Sequence, residues 1–168
     1  MEDPLTSIIE ELKRLDKKSL LAYWIKGEFD EAELYEMLAE RAKDLDLPDS
    51  LVETFHGLSR ESREHGEGLW KVYIETYGEE PRPPQIPPLE VYPILDKFSR
   101  AEDVIEGLEL AMESELLAKR VYETLAEETD DRELVSIYRT LAGVELGHYD
   151  RLMEEFKVLK ENLKTAGK

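Results

Sequence analysis

The chain has no cysteine among its 168 residues. This absence excludes disulfide bonds, thiolate nucleophiles, cysteine-based zinc sites and iron–sulfur clusters. Side-chain amides are also scarce, because Gln85 and Asn162 are the only two in the sequence. A composition poor in cysteine and amides and rich in Glu, Lys and Arg is typical of thermophile proteins. We therefore expect a protein from a thermophile.

Long apolar runs and excess positive charge are missing as well. No apolar stretch approaches the roughly 18 residues that a membrane-spanning helix needs. The acidic residues 1–4 do not begin a signal peptide, so we expect a cytoplasmic protein. The 40 Asp and Glu outnumber the 22 Lys and Arg, which gives a formal net charge of −18. This charge argues against nucleic acid or an anionic membrane as a partner and suits a protein that attracts cations.

Hydrophobic periodicity predicts an all-α chain with one short and four long helices. The predicted helices cover residues 4–15, about 19–44, about 48–77, about 99–128 and about 130–163. Ser19 and Ser99 are the predicted N-caps of the second and fourth helices, and Pro48 opens the third. The junction at residues 129–131 is short, so the last two helices are expected to be antiparallel neighbours.

A proline-rich segment separates the two pairs of long helices. Residues 78–93 hold six of the eight prolines and therefore do not form a helix. An extended polyproline-like chain rises about 3.1 Å per residue, enough to travel the length of a bundle. We predict one domain over residues 1–168. Its parts are an N-terminal helix (1–18), a first helical hairpin (19–77), a crossover (78–98) and a second hairpin (99–163).

The last predicted helix contains the motif Glu145-x-x-His148. Residues three apart share one helix face, with Cβ atoms roughly 5–6 Å apart. A carboxylate and an imidazole directed at one point are candidate metal ligands. The motif alone has low specificity, because Glu is abundant in this chain.

The two halves of the chain repeat one another, and this strengthens the motif. Glu28 in the second helix recurs as Glu115 in the fourth, each with a tyrosine seven residues later. The apolar pattern around His65 in the third helix recurs around His148 in the fifth. Taken separately, Glu28 is more simply a solvated residue and His65 a hydrogen-bonded core residue. The high content of acidic residues does not explain why two Glu and two His occupy corresponding positions in the two halves. The repeat therefore favours metal ligation.

The repeated tyrosines are Tyr35 and Tyr122. Both could donate hydrogen bonds to the ligating carboxylates and so tune the metal. Filling core space is an equally good interpretation of both residues.

Pairing the halves face to face predicts an antiparallel four-helix bundle with one long crossover. Its candidate ligands match a known pattern, in which two helices each supply one Glu and two others each supply Glu-x-x-His. The chain thus resembles the ferritin-like di-iron carboxylate superfamily, most closely the rubrerythrin-like branch, over roughly residues 19–163. The predicted metal ligands are Glu28, Glu61, His65, Glu115, Glu145 and His148.

Glu61 enters this set because the repeat is broken at Ser62. Symmetry with Glu145 calls for a carboxylate at position 62, and serine is a poor iron ligand. Glu61 lies one residue before that place and Glu64 two after it. A local π-bulge would swing Glu61 inward. Otherwise the site lacks one carboxylate, and the second metal position is incomplete.

The resemblance implies a di-iron oxidoreductase that reduces peroxide or O₂, or oxidises Fe(II). Carboxylate and imidazole ligands favour Fe or Mn, with Zn²⁺ as an alternative. An external electron donor is implied, because the chain has no cysteine for a rubredoxin-type centre. The resemblance also implies a homodimer or larger homo-oligomer. The alternative function is a ferritin-like scaffold that binds one metal or none and acts through protein association, and Ser62 favours it.

Overall fold

A computed structural model describes residues 4–86 and 103–167 of the chain, with side chains from residue 9 onward. Its described part consists of helices and connections, which confirms the predicted all-α fold. In chain order the helices are α1 (Pro4–Lys13), α2 (Lys17–Asp44), α3 (Asp49–Tyr77), α4 (Val104–Glu128) and α5 (Arg132–Ala166). The predicted cap Ser99 and most of the predicted crossover lie outside the described residues.

The ends of the helices follow local capping chemistry. The side chain of Asp16 caps α2 by accepting a hydrogen bond of 2.7 Å from the backbone N–H of Ser19. The prediction of Ser19 as the cap was therefore wrong, because the helix begins two residues earlier and Asp is an equally good cap. Asp131 caps α5 in the same way, and Pro48 precedes α3 as expected. Gly78 ends α3 with a φ of 68°, a left-handed conformation that glycine adopts without strain.

The bundle is built from two helical hairpins. Helix α2 packs along α3 and α4 packs along α5, while α3 contacts α5 and α1 contacts α4. The connections at residues 45–48 and 129–131 are short, so each hairpin is antiparallel. In the described residues no helix is both long and apolar enough to cross a membrane.

A polar layer crosses the bundle between two apolar clusters. The first cluster contains Leu38, Phe55, Leu108 and Leu152, and the second contains Trp24, Val121, Tyr138 and Leu141. Between them the long helices place buried polar side chains, namely Glu28, Ser59, Ser62, Glu115, Glu145 and His148. Apolar burial on both sides holds these groups away from bulk water.

One glycine allows two helices to approach closely. A Cβ atom at Gly66 on α3 would lie 3.1 Å from the ring of Phe29 on α2. Gly143 and Gly147 are not at such an approach, because a Cβ at either would meet no atom within 4 Å. Their place in α5 therefore has no steric explanation in the described structure.

We expect opposite effects from two matched substitutions. Gly66→Ala should destabilise the protein by up to about 2 kcal/mol, because crowding of Phe29 costs about 1–3 kcal/mol and the better helix propensity of alanine offsets about 1 kcal/mol. Gly143→Ala should stabilise it by up to about 1 kcal/mol, because alanine is the better helix former and space is free. Urea unfolding curves measure both changes. Equal effects of the two substitutions would contradict the close approach at Gly66.

Candidate metal centre

Four side chains converge in the polar layer. Glu31 of α2, Glu115 of α4, and Glu145 and His148 of α5 each offer one ligand atom, and these atoms lie within 4.8 Å of one another. Glu115, Glu145 and His148 are buried, and Glu31 is partly buried. We call these four residues the Glu₃His group. Three carboxylates and one imidazole are ligand types that Fe, Mn and Zn accept.

The imidazole of His148 connects the group to a residue outside it. Its Nδ1 atom lies 3.1 Å from Oε1 of Glu31, 3.7 Å from Oε1 of Glu115 and 4.0 Å from Oε2 of Glu145. Its Nε2 atom points the other way and lies 3.2 Å from Oε2 of Glu61. Nδ1 therefore faces the three carboxylates and is the nitrogen that would bind a metal held by them.

Burial and mutual repulsion make the Glu₃His group electrostatically unusual. Burial, together with the charge of Glu115, raises the pKa of Glu31 and of Glu145 well above the ordinary range. Burial opposes ionisation of Glu115, but hydrogen bonds from Glu145, His148 and Tyr35 lower its pKa to about 2. Burial also disfavours charged His148, yet the nearby carboxylates of Glu115 and Glu31 raise its pKa to about 11. Protons thus compensate the buried carboxylates, and a cation would serve the same purpose.

The other half of the polar layer contains unsatisfied groups. Glu28 is 2% exposed and Ser62 is fully buried. Among the described residues, Oε2 of Glu28, Oγ of Ser62 and Nδ1 of His65 have no hydrogen-bond partner. The Glu28 and His65 atoms lie 3.8 Å apart, too far for a hydrogen bond. A buried polar group without a partner costs about 1–3 kcal/mol, so a ligand shared by Glu28 and His65 would relieve this cost.

The two repeated tyrosines have different surroundings. The hydroxyl of Tyr35 donates a short hydrogen bond to Oε1 of Glu115. Burial raises the pKa of Tyr35 well above its usual value, so the hydroxyl stays protonated and remains a donor. Tyr122 also lies beside the carboxylates, and its ring packs against Trp24 with centroids 4.6 Å apart. The sequence repeat does not show this difference.

The structure brings together most of the residues predicted as ligands. Glu115, Glu145 and His148 belong to the Glu₃His group, and Glu28 and His65 lie beside each other. Glu61 is outside the group. Its carboxylate is paired with Arg151 and contacts the far nitrogen of His148.

The π-bulge that would swing Glu61 inward does not form, because α3 is an unbroken α-helix from Asp49 to Tyr77. A regular helix keeps position 61 about 100° away from position 62. The inward position therefore remains with Ser62, whose side chain is fully buried.

Glu31 is the residue that sequence reasoning missed. It lies three residues after Glu28, so the two share a helix face, and this spacing could have indicated it. Its counterpart in the repeat is Ala118, so the comparison of the two halves drew no attention to it. Glu31 supplies a fourth carboxylate where Ser62 supplies none.

Glu61 is expected to orient His148 through its Nε2 atom. Glu61→Ala should weaken metal binding about 10–100-fold, because a partner on the other nitrogen of a ligating histidine fixes its ring and tautomer. Saturating metal should restore full occupancy if Glu61 acts through His148. Titration with Co²⁺ measures affinity and stoichiometry together.

Glu64→Ala changes an exposed neighbour on the same helix and is the control. This variant should bind metal as the wild type does. A lower stoichiometry at saturation would instead support the ligand role predicted from the sequence.

A helical bundle that holds carboxylates and histidines in a buried layer defines a ferritin-like protein. The family model for rubrerythrin matches residues 19–156. The chain therefore belongs to the rubrerythrin family of ferritin-like di-iron domains.

Comparison with solved structures gives the same fold. A hypothetical protein from Pyrococcus furiosus is similar, with 30% sequence identity and a TM-score of 0.73. The similarity covers 91% of this chain and 96% of that protein. Comparison with curated protein sequences finds no match.

Proposed function

We propose that the protein is a di-iron oxidoreductase of the rubrerythrin type. It reduces hydrogen peroxide or O₂, and oxidation of Fe(II) is a close variant of the same reaction. The observation that carries this proposal is the Glu₃His group beside the unsatisfied atoms of Glu28 and His65. Family membership supports iron as the metal.

The residues present fit two divalent ions. Glu31, Glu115, Glu145 and His148 would hold one ion, and Glu28 and His65 would hold the other. The four carboxylates, counted with Glu28, balance the charge of two divalent ions. Without cations or protons, these buried charges would repel one another at high cost. Carboxylate and imidazole ligands suit Fe and Mn, and Zn²⁺ remains an alternative.

When bound, a pair of irons supplies the two electrons that cleavage of an oxygen–oxygen bond requires. Reduction of hydrogen peroxide consumes two electrons and two protons and releases two water molecules. The chain holds the carboxylates in place by packing the polar layer between apolar clusters. Tyr35 fixes the orientation of Glu115 through its hydrogen bond. The electrons come from a separate donor, because this chain has no cysteine for a rubredoxin-type centre.

Anaerobic loading with Fe(II), followed by peroxide, tests the proposal. We expect about two irons per chain, as the ligand pattern implies. Mössbauer spectroscopy monitors the oxidation of Fe(II) to Fe(III). This oxidation should consume about one peroxide per two irons, since each iron gives up one electron. Added reductant should make the consumption catalytic. Bound iron that stays Fe(II) in the presence of both peroxide and O₂ would refute the proposed oxidoreductase function.

A ferritin-like scaffold is the second candidate function, and Ser62 is the observation that favours it. Serine at this buried position removes a carboxylate that the repeat calls for. A scaffold would contain one metal or none after growth in iron-rich medium. Elemental analysis of the purified protein separates the two functions.

We also propose a homodimer or larger assembly in the cytoplasm, active against oxidative stress in a thermophile. Membership of the rubrerythrin family supports an assembly. The scarcity of amides and cysteine supports an origin of the protein in a thermophile. Light scattering tests the assembly, and a thermal transition above about 90 °C would mark a hyperstable protein.

A further inference from the structure

A cavity of about 330 Å³ opens beside the metal centre. It lies between α2 and α4, and the start of the crossover at residues 83–86 forms one side. The walls are mainly apolar and aromatic. They include Tyr23, Trp24, Leu34, Ile86, Ala111 and Ala118.

One end of the cavity is acidic. Carboxylates of Glu28, Glu31, Glu115 and Glu145 line it, so the metal centre and the cavity share one space. Lys26 and Asp30 also line the cavity, and they are paired with each other on the surface of α2. Among the described lining residues, this pairing leaves no unbalanced positive charge to attract an anion.

The sequence repeat explains why this space is free. Ala111 on α4 corresponds to Trp24 on α2, and Ala118 corresponds to Glu31. Small side chains on α4 thus oppose large ones on α2. Gly27 also lines the cavity, and a Cβ atom built there would meet no atom within 4 Å.

The volume exceeds what peroxide or O₂ requires. Each water molecule occupies about 30 Å³ in the liquid, and an engineered apolar cavity of about 150 Å³ accommodates benzene. The cavity is roughly twice that size, at the lower end of the range for small-molecule sites.

We propose that this cavity binds a neutral, largely apolar organic molecule of about two fused rings, with a polar end towards the metal centre. The apolar walls bury the body of the molecule, and a hydroxyl-type end meets the acidic end of the cavity. In the metal-free protein an anion of the same shape is disfavoured, because the described lining residues offer its buried charge no unpaired cation. This goes beyond the reaction with peroxide, because binding requires no electron transfer.

Calorimetric titration with 2-naphthol tests the proposal, and 2-naphthoate serves as a charged probe of similar shape. The titrations use the Zn²⁺-loaded protein, which has no redox chemistry, and the same protein after chelation. A failure of metal binding is then distinct from a failure of the cavity. We expect saturable binding of one 2-naphthol per chain and, in the metal-free protein, at least about tenfold weaker binding of 2-naphthoate.

Two matched variants place the binding in the cavity. Gly27→Leu should fill the cavity and weaken 2-naphthol binding at least about tenfold, while metal content stays unchanged. Gly68→Leu is the control, because Gly68 is also a helical glycine with free space but does not line the cavity. Ala118→Leu provides a second filling variant from the opposite wall. The proposal is overturned if neither protein form binds 2-naphthol, if 2-naphthoate binds the metal-free protein as tightly, or if both filling variants bind like the wild type.

Discussion

Glu31→Ala is expected to reduce bound iron from about two ions per chain to about one and to lower peroxidase activity more than about 100-fold. Even partners outside the direct ligands typically cost about 10–100-fold, and loss of a ligand costs more. The physical reason is charge, because three buried carboxylates balance only part of the charge of two divalent ions. Elemental analysis and the initial rate of peroxide consumption measure the two effects. Glu33→Ala, an exposed acidic position on the same helix, should change neither.

Adding Ser62→Glu to Glu31→Ala should restore the second ion. Position 62 corresponds to Glu145 in the repeat, so the new carboxylate would stand on α3 instead of α2. Ser62→Asp, with a shorter side chain, provides a second form of the test at this buried position. Two well-folded double variants that still bind one ion would show that Glu31 does not replace the missing carboxylate.

Removal of metal is expected to lower the melting temperature by about 8–16 °C. A ligand present at about 1,000 times its dissociation constant stabilises the folded state by about 4 kcal/mol. Each kcal/mol changes the melting temperature by about 2–4 °C in a protein of this size. Calorimetry with and without a chelator measures the difference. An unchanged transition would favour the scaffold function.

This stabilisation by metal should weaken as the pH falls. Metal ligands must be deprotonated, so protons compete with the ion. Burial raises the pKa of Glu31 and Glu145, so these two carboxylates retain protons above the usual range of a glutamate. The difference in melting temperature between metal-bound and metal-free protein should therefore decrease from neutral towards acidic pH. A difference that grows on acidification would contradict carboxylate ligation.

Helical periodicity and the internal repeat were sufficient to predict the bundle. Positions such as Glu115 and His148 follow from spacing, because residues on one helix face must point to a common layer. Glu31 could not be found by symmetry, because its counterpart is Ala118. The contact of Glu61 with the outer nitrogen of His148 depends on where α3 meets α5, and local spacing contains no information on that. The cavity could not be predicted from the sequence either, because it arises where small side chains of one helix face large side chains of another.

In the described residues, the layer of buried polar groups also separates the two apolar clusters of the bundle. Helices usually open from their ends, because terminal turns lack hydrogen-bond partners. In the metal-free protein, the buried carboxylates of Glu28, Glu31, Glu115 and Glu145 require protons in place of cations, which concentrates the instability at the centre instead. Amide hydrogens near these residues should then exchange with solvent sooner than those beside Leu38 or Val121. Bound metal should reverse this order of amide exchange. The ions would then hold the centre of the bundle together, so that the two apolar clusters unfold cooperatively.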